Sequence, residues 1–202
     1  MICMSEEKNS PPEVVAFIGP NGSGKSTITE LLNPIGVDYV NADEIKLALK
    51  CTDLEAAQIA TRQREEYLRE RKGFCFETVM STDRNLNLLQ RARSNGFFVR
   101  THIIITATPR LNLWRVRGRV EAGGHDVPAD KITSRYKRSL ALIKDVVNVS
   151  HICDIYDNSL EYPSRIFLKR DNQCFYKESS FFDLSSIKKL TGASTLIPYS
   201  LI

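Results

Sequence analysis

Residues 19–27 read GPNGSGKST, in which Gly19, Gly24, Lys25 and Ser26 meet the spacing G-x-x-x-x-G-K-S. The stretch follows VVAFI (Val14 to Ile18), a continuous apolar run that suits a strand buried on both faces. It leads into KSTITELLN, which reads as a helix stopped at Asn33-Pro34. A glycine-rich turn between a buried strand and a helix is where this spacing acquires physical meaning. The glycines let the backbone turn until its N–H groups face an anion. The helix N-terminus adds partial positive charge. Lys25 would reach the β- and γ-phosphates of ATP or GTP, and the Ser26 hydroxyl would bind Mg²⁺. The nucleotide-binding set is therefore Gly19, Pro20, Asn21, Gly22, Ser23, Gly24, Lys25, Ser26 and Thr27.

The chain has 202 residues, enough for one domain with a full core and a small appendage. Its net charge of +4 fits an anionic substrate and is too small to imply nucleic acid. Five cysteines are scattered with no C-x-x-C pair, which suggests reduced thiols in a cytosol-like compartment. No apolar run approaches the roughly 20 residues that span a bilayer. These features predict a soluble cytoplasmic protein with no membrane or nucleic-acid partner.

Outward from the opening motif, strand and helix patterns alternate. VDYV (37–40) and FCFET (74–78) read as strands. Between them Asp43 could cap a helix over 44–50, and 53–73 reads as a long helix ending near Gly73. STDRNLNLLQRARSNG reads as a capped helix closed at Gly96, and 97–106 as a strongly β-prone strand. Helices follow from Pro109 to the pair Gly123-Gly124 and again over PADKITSRYKRSLALIKDVV. The apolar stripe of the second is Ile132, Tyr136, Leu140, Ile143 and Val147. HICDIYD (151–157) is a fifth strand, and RIFLKRDNQCFYK suggests a hairpin turning near Asp171-Asn172. The last twenty-odd residues give no clear signal. Such alternation predicts an α/β P-loop NTPase fold, kinase-like and three-layered, with a mainly parallel sheet of about five strands plus a small C-terminal β-hairpin. Its ligand site should lie at the carboxyl ends of the strands. The expected organisation is a flexible arm over 1–12 and a kinase-like domain over 13–160 with a helical lid at about 109–147. A hairpin and tail over 161–202 would pack on the same domain.

A transporter-type ATPase would carry LSGGQ, and a GTPase would carry N-K-x-D; neither is present. What remains fits a small-molecule kinase. Asp43, in VNADEI, comes just after the second strand, where a carboxylate could take the proton of an acceptor hydroxyl. Capping of the helix explains it equally well. Glu77 and Thr78 end the third strand beside it; Glu77 could bind substrate hydroxyls, help hold Mg²⁺ through water, or pair structurally with an arginine. The segment from Arg115 to Leu140 holds five arginines. Arg115 and Arg119 share one helix face; Lys131, Arg135 and Arg138 share a face of the next. A triphosphate would supply the anion that such clustered cations need. The glycine pair would hinge a closing lid. His125 reads as a loop or lid residue and Trp114 as a packing residue. The sequence YDNS (156–159) stands where adenine rests in many such folds, and a plain turn accounts for it equally.

In the combination and order GPNGSGKST, NADEI, FETVMS, RVRGRVEAGGHDVP and SRYKRSL, the chain resembles the zeta-toxin family of P-loop kinases, and more closely its short chromosomal branch. The resemblance covers about residues 14–160. It implies ATP and Mg²⁺ as cofactors and UDP-N-acetylglucosamine as the leading acceptor. It also implies Asp43 as the base, Glu77 and Thr78 as holders of the sugar, and Arg119 with Arg135 or Arg138 on the phosphates. An antitoxin protein would be the partner in such a system. After the third strand the chain departs from the toxins' Glu-Gly-Thr followed closely by Arg, reading Glu77-Thr78-Val79-Met80-Ser81 with Arg84 later.

Overall fold

The computed structural model describes residues 10–34, 36–124 and 126–199. Residues 1–9 of the expected arm, and His125, lie outside the described residues. Strand β1 (Glu13–Ile18) is followed by α1 (Lys25–Leu32), β2 (Asp38–Val40), α2 (Ala42–Leu49) and α3 (Asp53–Arg69). Next come β3 (Phe74–Thr78), α4 (Asp83–Ser94), β4 (Phe98–Ile105) and α5 (Pro109–Glu121). The chain continues through α6 (Ala129–Ala141), α7 (Ile143–Val149), β5 (Ile152–Asp157), β6 (Ser164–Arg170) and β7 (Gln173–Tyr176). It closes with α8 (Leu184–Thr191) and β8 (Ile197–Pro198).

Among the described residues the strands form one sheet in the order β2-β3-β1-β4-β5-β6-β7-β8. The first five strands are parallel, as expected. The hairpin β6–β7 continues the same sheet antiparallel, and β8 pairs parallel to β7, so the sheet is larger than the five strands read from sequence. Strand β1 lies between β3 and β4, with Ile18 opposite Thr78 on one side and Ile103 on the other. The chain leaves β1 toward one edge and returns to build the other. The carboxyl end of β1 is therefore the crevice where ligands bind in open α/β sheets.

Alternate residues of each strand feed two cores. Val14, Ala16, Ile18, Phe74, Phe76, Ile103 and Ile155 pack with Ala60, Leu86, Leu89, Val146 and Ile187 from the helices of one face. Val15, Phe17, Cys75 and Ile104 pack with Ile28 of α1 on the other. Each such Val, Leu, Ile or Phe side chain, where fully buried, contributes roughly 1.5–3 kcal/mol. A third, small cluster of Val116, Val127 and Ile132 ties α5 to α6.

Several local expectations change. α3 stops at Arg69 because Arg71 takes the left-handed conformation (φ 54), with Lys72 N–H bonded to the Tyr67 carbonyl at 2.9 Å. A C-terminal turn of this kind usually falls to glycine, and Gly73 misled the reading. The helix expected to run unbroken to Val147 divides at Leu142 into α6 and α7. Its predicted stripe is nonetheless inward, with Ile132, Tyr136, Ile143 and Val147 buried. α4 starts after Thr82, which makes no side-chain cap bond.

Candidate active site

A cleft of about 870 Å³ opens at the carboxyl end of β1. Pro20, Asn21, Gly22, Gly24, Lys25, Ser26 and Thr27 line it. Gly19 and Ser23 lie beneath the loop instead. A Cβ on Gly19 would collide with the Ile104 carbonyl and with the Ser23 hydroxyl, so Gly19 lets the loop lie directly on β4. Ser23 is fully buried.

The end of β3 delivers Glu77 to Lys25. Glu77 Oε2 stands 3.0 Å from Lys25 Nζ and accepts from Ser26 Oγ at 3.1 Å. Its Oε1 accepts from the Tyr39 hydroxyl at 2.8 Å, which in turn accepts from Asn41 Nδ2 at 2.9 Å. Burial alone would raise the Glu77 pKa. The Lys25 ammonium and the hydrogen bonds it accepts, that from Tyr39 among them, outweigh burial and hold it below the ordinary value. Burial first, and then the Glu77 charge, push the Tyr39 phenol far up, so it stays a donor. The arginine partner considered for Glu77 is thus replaced by lysine, and the carboxylate lines the cleft beside Lys25 and Ser26. Thr78 also lines the cleft, but its Oγ1 accepts from Asn85 Nδ2 at 2.7 Å and Met80 N–H at 3.0 Å, which fixes the turn after β3.

Asp43 is exposed on the cleft wall. The cap of α2 is Asn41, whose side chain accepts from Asp43 N–H at 2.9 Å. The capping reading of Asp43 is therefore corrected: its carboxylate is not spent on the helix end. From α5 come Arg115 and Arg119, and from α6 Lys131 and Arg135, all lining the cleft. Arg135 Nη1 donates to Asn21 Oδ1 at 3.3 Å. Arg138 is exposed and is not among the lining residues, because it falls on the outer side of α6. Arg115 Nη2 reaches the Leu160 carbonyl at 3.4 Å, while Nη1 is buried and, among the described residues, has no hydrogen-bond partner. Burial lowers the Arg115 pKa against the opposing pull of Asp157. Trp114 is 71% exposed, so the packing role read from sequence does not hold.

The sequence reading missed Tyr39, which orients Glu77, and Asn112 and Asn158. Asn112 Nδ2 donates to the Asn21 carbonyl, and Asn158 Nδ2 to the Ser23 carbonyl, both at 2.8 Å. Asn158 lay within the noted YDNS; Asn112 had no local signal. Among the described residues no cluster of His, Cys, Asp and Glu forms a metal site of three or more ligands. No helix there is long and apolar enough to cross a membrane.

The donor set fits a nucleotide with its metal. A buried guanidinium nitrogen with no partner among the described residues and the φ of 79 and 85 at Gly22 and Gly24 suit an anion, and Ser26 Oγ beside a carboxylate suits Mg²⁺.

No family model matches the chain. An uncharacterized protein of Haemophilus influenzae is 26% identical over 129 residues, 61% of this chain and 92% of its own length. A stretch of 65 residues is 35% identical to the tRNA dimethylallyltransferase of Saccharopolyspora erythraea, covering 32% of this chain and 21% of that enzyme. Among solved structures, the AvrRxo1-ORF1:AvrRxo1-ORF2 complex with sulphate ions is similar at TM-score 0.70 and 16% identity, over 92% of this chain and 65% of that chain. The same complex solved with ATP gives 0.69 and 17%. The PezAT chromosomal toxin–antitoxin system of Streptococcus pneumoniae gives 0.55 and 14%, over 78% of this chain and 72% of that one. The chain shares its α/β fold with these complexes.

Proposed function

We propose that the chain is an ATP-dependent phosphotransferase acting on a hydroxyl of a small molecule, working in the cytoplasm. The observation that carries this reading is the convergence on one cleft of Lys25, Ser26 and Glu77 with Asp43 and the arginines of α5 and α6. The solution of a similarly folded complex with ATP supports the choice of nucleotide.

Lys25 and the loop N–H groups would hold the β- and γ-phosphates, and Ser26 Oγ with Glu77, directly or through water, would hold Mg²⁺. The metal would supply charge neutralisation between the phosphates. Asp43 would take the proton as the acceptor oxygen bonds to the γ-phosphorus and the bond to ADP breaks. Arg119 and Arg135, with Arg115, would stabilise the charge on the transferring group. Helices α5 and α6 form the lid of this proposal; closure over the nucleotide would exclude water. Thr78 and Asp43 mark the acceptor end.

UDP-N-acetylglucosamine is the acceptor we place first. The order of motifs and the polar lining support it, since a hydroxyl-rich ligand partners buried polar groups. The test is mass spectrometry of UDP-amino sugars incubated with the protein, ATP and Mg²⁺, expecting one added phosphate. No such product, from protein shown to bind ATP, would remove this acceptor and leave the phosphotransferase reading for another hydroxyl compound. A second reading is a nucleotide-binding protein acting mainly through a protein partner; the similarity to the PezAT toxin–antitoxin system supports it. Turnover that stays negligible with every metabolite while a partner binds tightly would favour it.

A further inference from the structure

A loop that turns its N–H groups toward an anion must turn its carbonyls away. Carbonyls so directed into protein need donors. Here Asn112 Nδ2 meets the Asn21 carbonyl and Asn158 Nδ2 the Ser23 carbonyl, each at 2.8 Å. In a trans peptide the C=O and N–H lie in one plane and point oppositely. Fixing the Asn21 carbonyl toward Asn112 therefore fixes the Gly22 N–H away from it. Fixing the Ser23 carbonyl toward Asn158 does the same for the Gly24 N–H. Among the described residues neither of these N–H groups is bonded to a backbone acceptor.

The two asparagines are themselves held. Asn112 is fully buried, and its Oδ1 accepts from Thr106 Oγ1, which leaves its nitrogen for the loop. Tyr136 anchors the Thr106 carbonyl at 2.6 Å. Asn158 is tied to β4 through its own N–H, which meets the Ile105 carbonyl at 2.8 Å. Each asparagine also abuts the glycine that it would orient. A Cβ on Gly22 would strike the Asn112 backbone, and one on Gly24 would strike the Asn158 amide.

We propose that Asn112 and Asn158 are positioning residues of the phosphate cradle: without touching the nucleotide, they aim the Gly22 and Gly24 N–H groups at its phosphates. This rests on the reading of residues 19–27 as a phosphate loop. It assigns the aim of the cradle to α5 and to the turn after β5, neither of which belongs to the motif.

The test uses the full chain with Asn158→Ala, with Asn158→Asp, which keeps the size and removes the donor, and with Asn112→Ser. Inorganic tripolyphosphate is the calorimetric probe, since it engages the cradle without a base. Amide spectra of protein labelled with ¹⁵N-glycine report the two N–H groups, and melting without ligand confirms folding. The expected result is a roughly tenfold to hundredfold loss of tripolyphosphate affinity, the scale of a hydrogen bond to a charged group. The amide shifts should be crossed: Asn158 variants move the Gly24 resonance more than that of Gly22, and Asn112→Ser does the reverse. If Asn112→Ser does not fold, the Asn158 pair carries the test alone. Parent-like affinity in the folded variants overturns the proposal. A parent protein that binds no tripolyphosphate overturns the cradle reading, and the proposal with it.

Discussion

Lys25 Nζ lies 3.0 Å from Glu77 Oε2, and the same oxygen receives the Ser26 hydroxyl at 3.1 Å. One carboxylate from a neighbouring strand thus holds both the lysine and the serine of the loop in place. A phosphate entering the cleft would compete with Glu77 for Lys25, while Glu77 kept its hold on the metal side.

Replacing Lys25 by Met should abolish stabilisation by nucleotide. Ligand at a hundredfold excess over its Kd stabilises a protein by about 2.7 kcal/mol. Melting curves with and without Mg·ATP should therefore shift for the parent and coincide for the variant. An equal shift in both would end the phosphate-loop reading.

Glu77→Gln should weaken nucleotide binding in Mg²⁺ more than in EDTA, which calorimetry can compare. It should also alter acid stability. The Glu77 pKa is depressed on folding, so its contribution is complete above the ordinary value of 4.5 and is lost as pH falls below it. The parent should lose its advantage over the Gln variant across that acid range; a gap independent of pH would contradict the assignment.

Asp43→Asn should bind ATP as the parent does and transfer phosphate about a hundredfold or more slowly, the usual contribution of a general base. Turnover at the parent rate would leave Asp43 without a catalytic role.

The two arginines of α6 should separate. Arg135→Ala should lower kcat by roughly a hundredfold to a thousandfold, with a smaller effect on nucleotide affinity, because charge grows during transfer. Arg119→Ala should behave similarly. Arg138→Ala, outside the cleft lining, should remain near the parent rate; a loss equal to that of Arg135→Ala would refute this division.

Ile187 of α8 is fully buried in the main core. Its replacement by Ala should cost about 2–5 kcal/mol in denaturant melts. A loss near zero would mean that the C-terminal segment does not share that core.

Strong local signals were readable from sequence. The run Val14 to Ile18 and the glycines after it place a strand, a loop and a helix without help from distant residues. FCFET supplies the third strand with the bounds read from sequence, Phe74–Thr78. The misses arise where geometry comes from afar. The choice between Asn41 and Asp43 as cap depends on where β2 ends, two residues apart in chain. Arg135 and Arg138 have equal standing on a helical wheel, and only the docking of α6 separates them. Tyr39, Asn112 and Asn158 act through contacts spanning 38, 91 and 135 residues, which no periodicity records. In the tail, β8 is two residues long and leaves no pattern, whereas α8 was missed although Asp183 caps its start and Gly192 (φ 69) closes it.

The lengths of the outermost strands bear on how the protein keeps to itself. β2, at one margin of the sheet, has three residues, and β8, at the other, has two and ends in Pro198. A strand that short exposes few unpaired N–H and C=O groups, and proline removes one donor outright. β8 also pairs alongside β7, whose four residues would otherwise form the margin. Detaching the segment that carries β8 would uncover Phe175 and Tyr176 on a bare edge, and the expected outcome is loss of solubility before loss of fold.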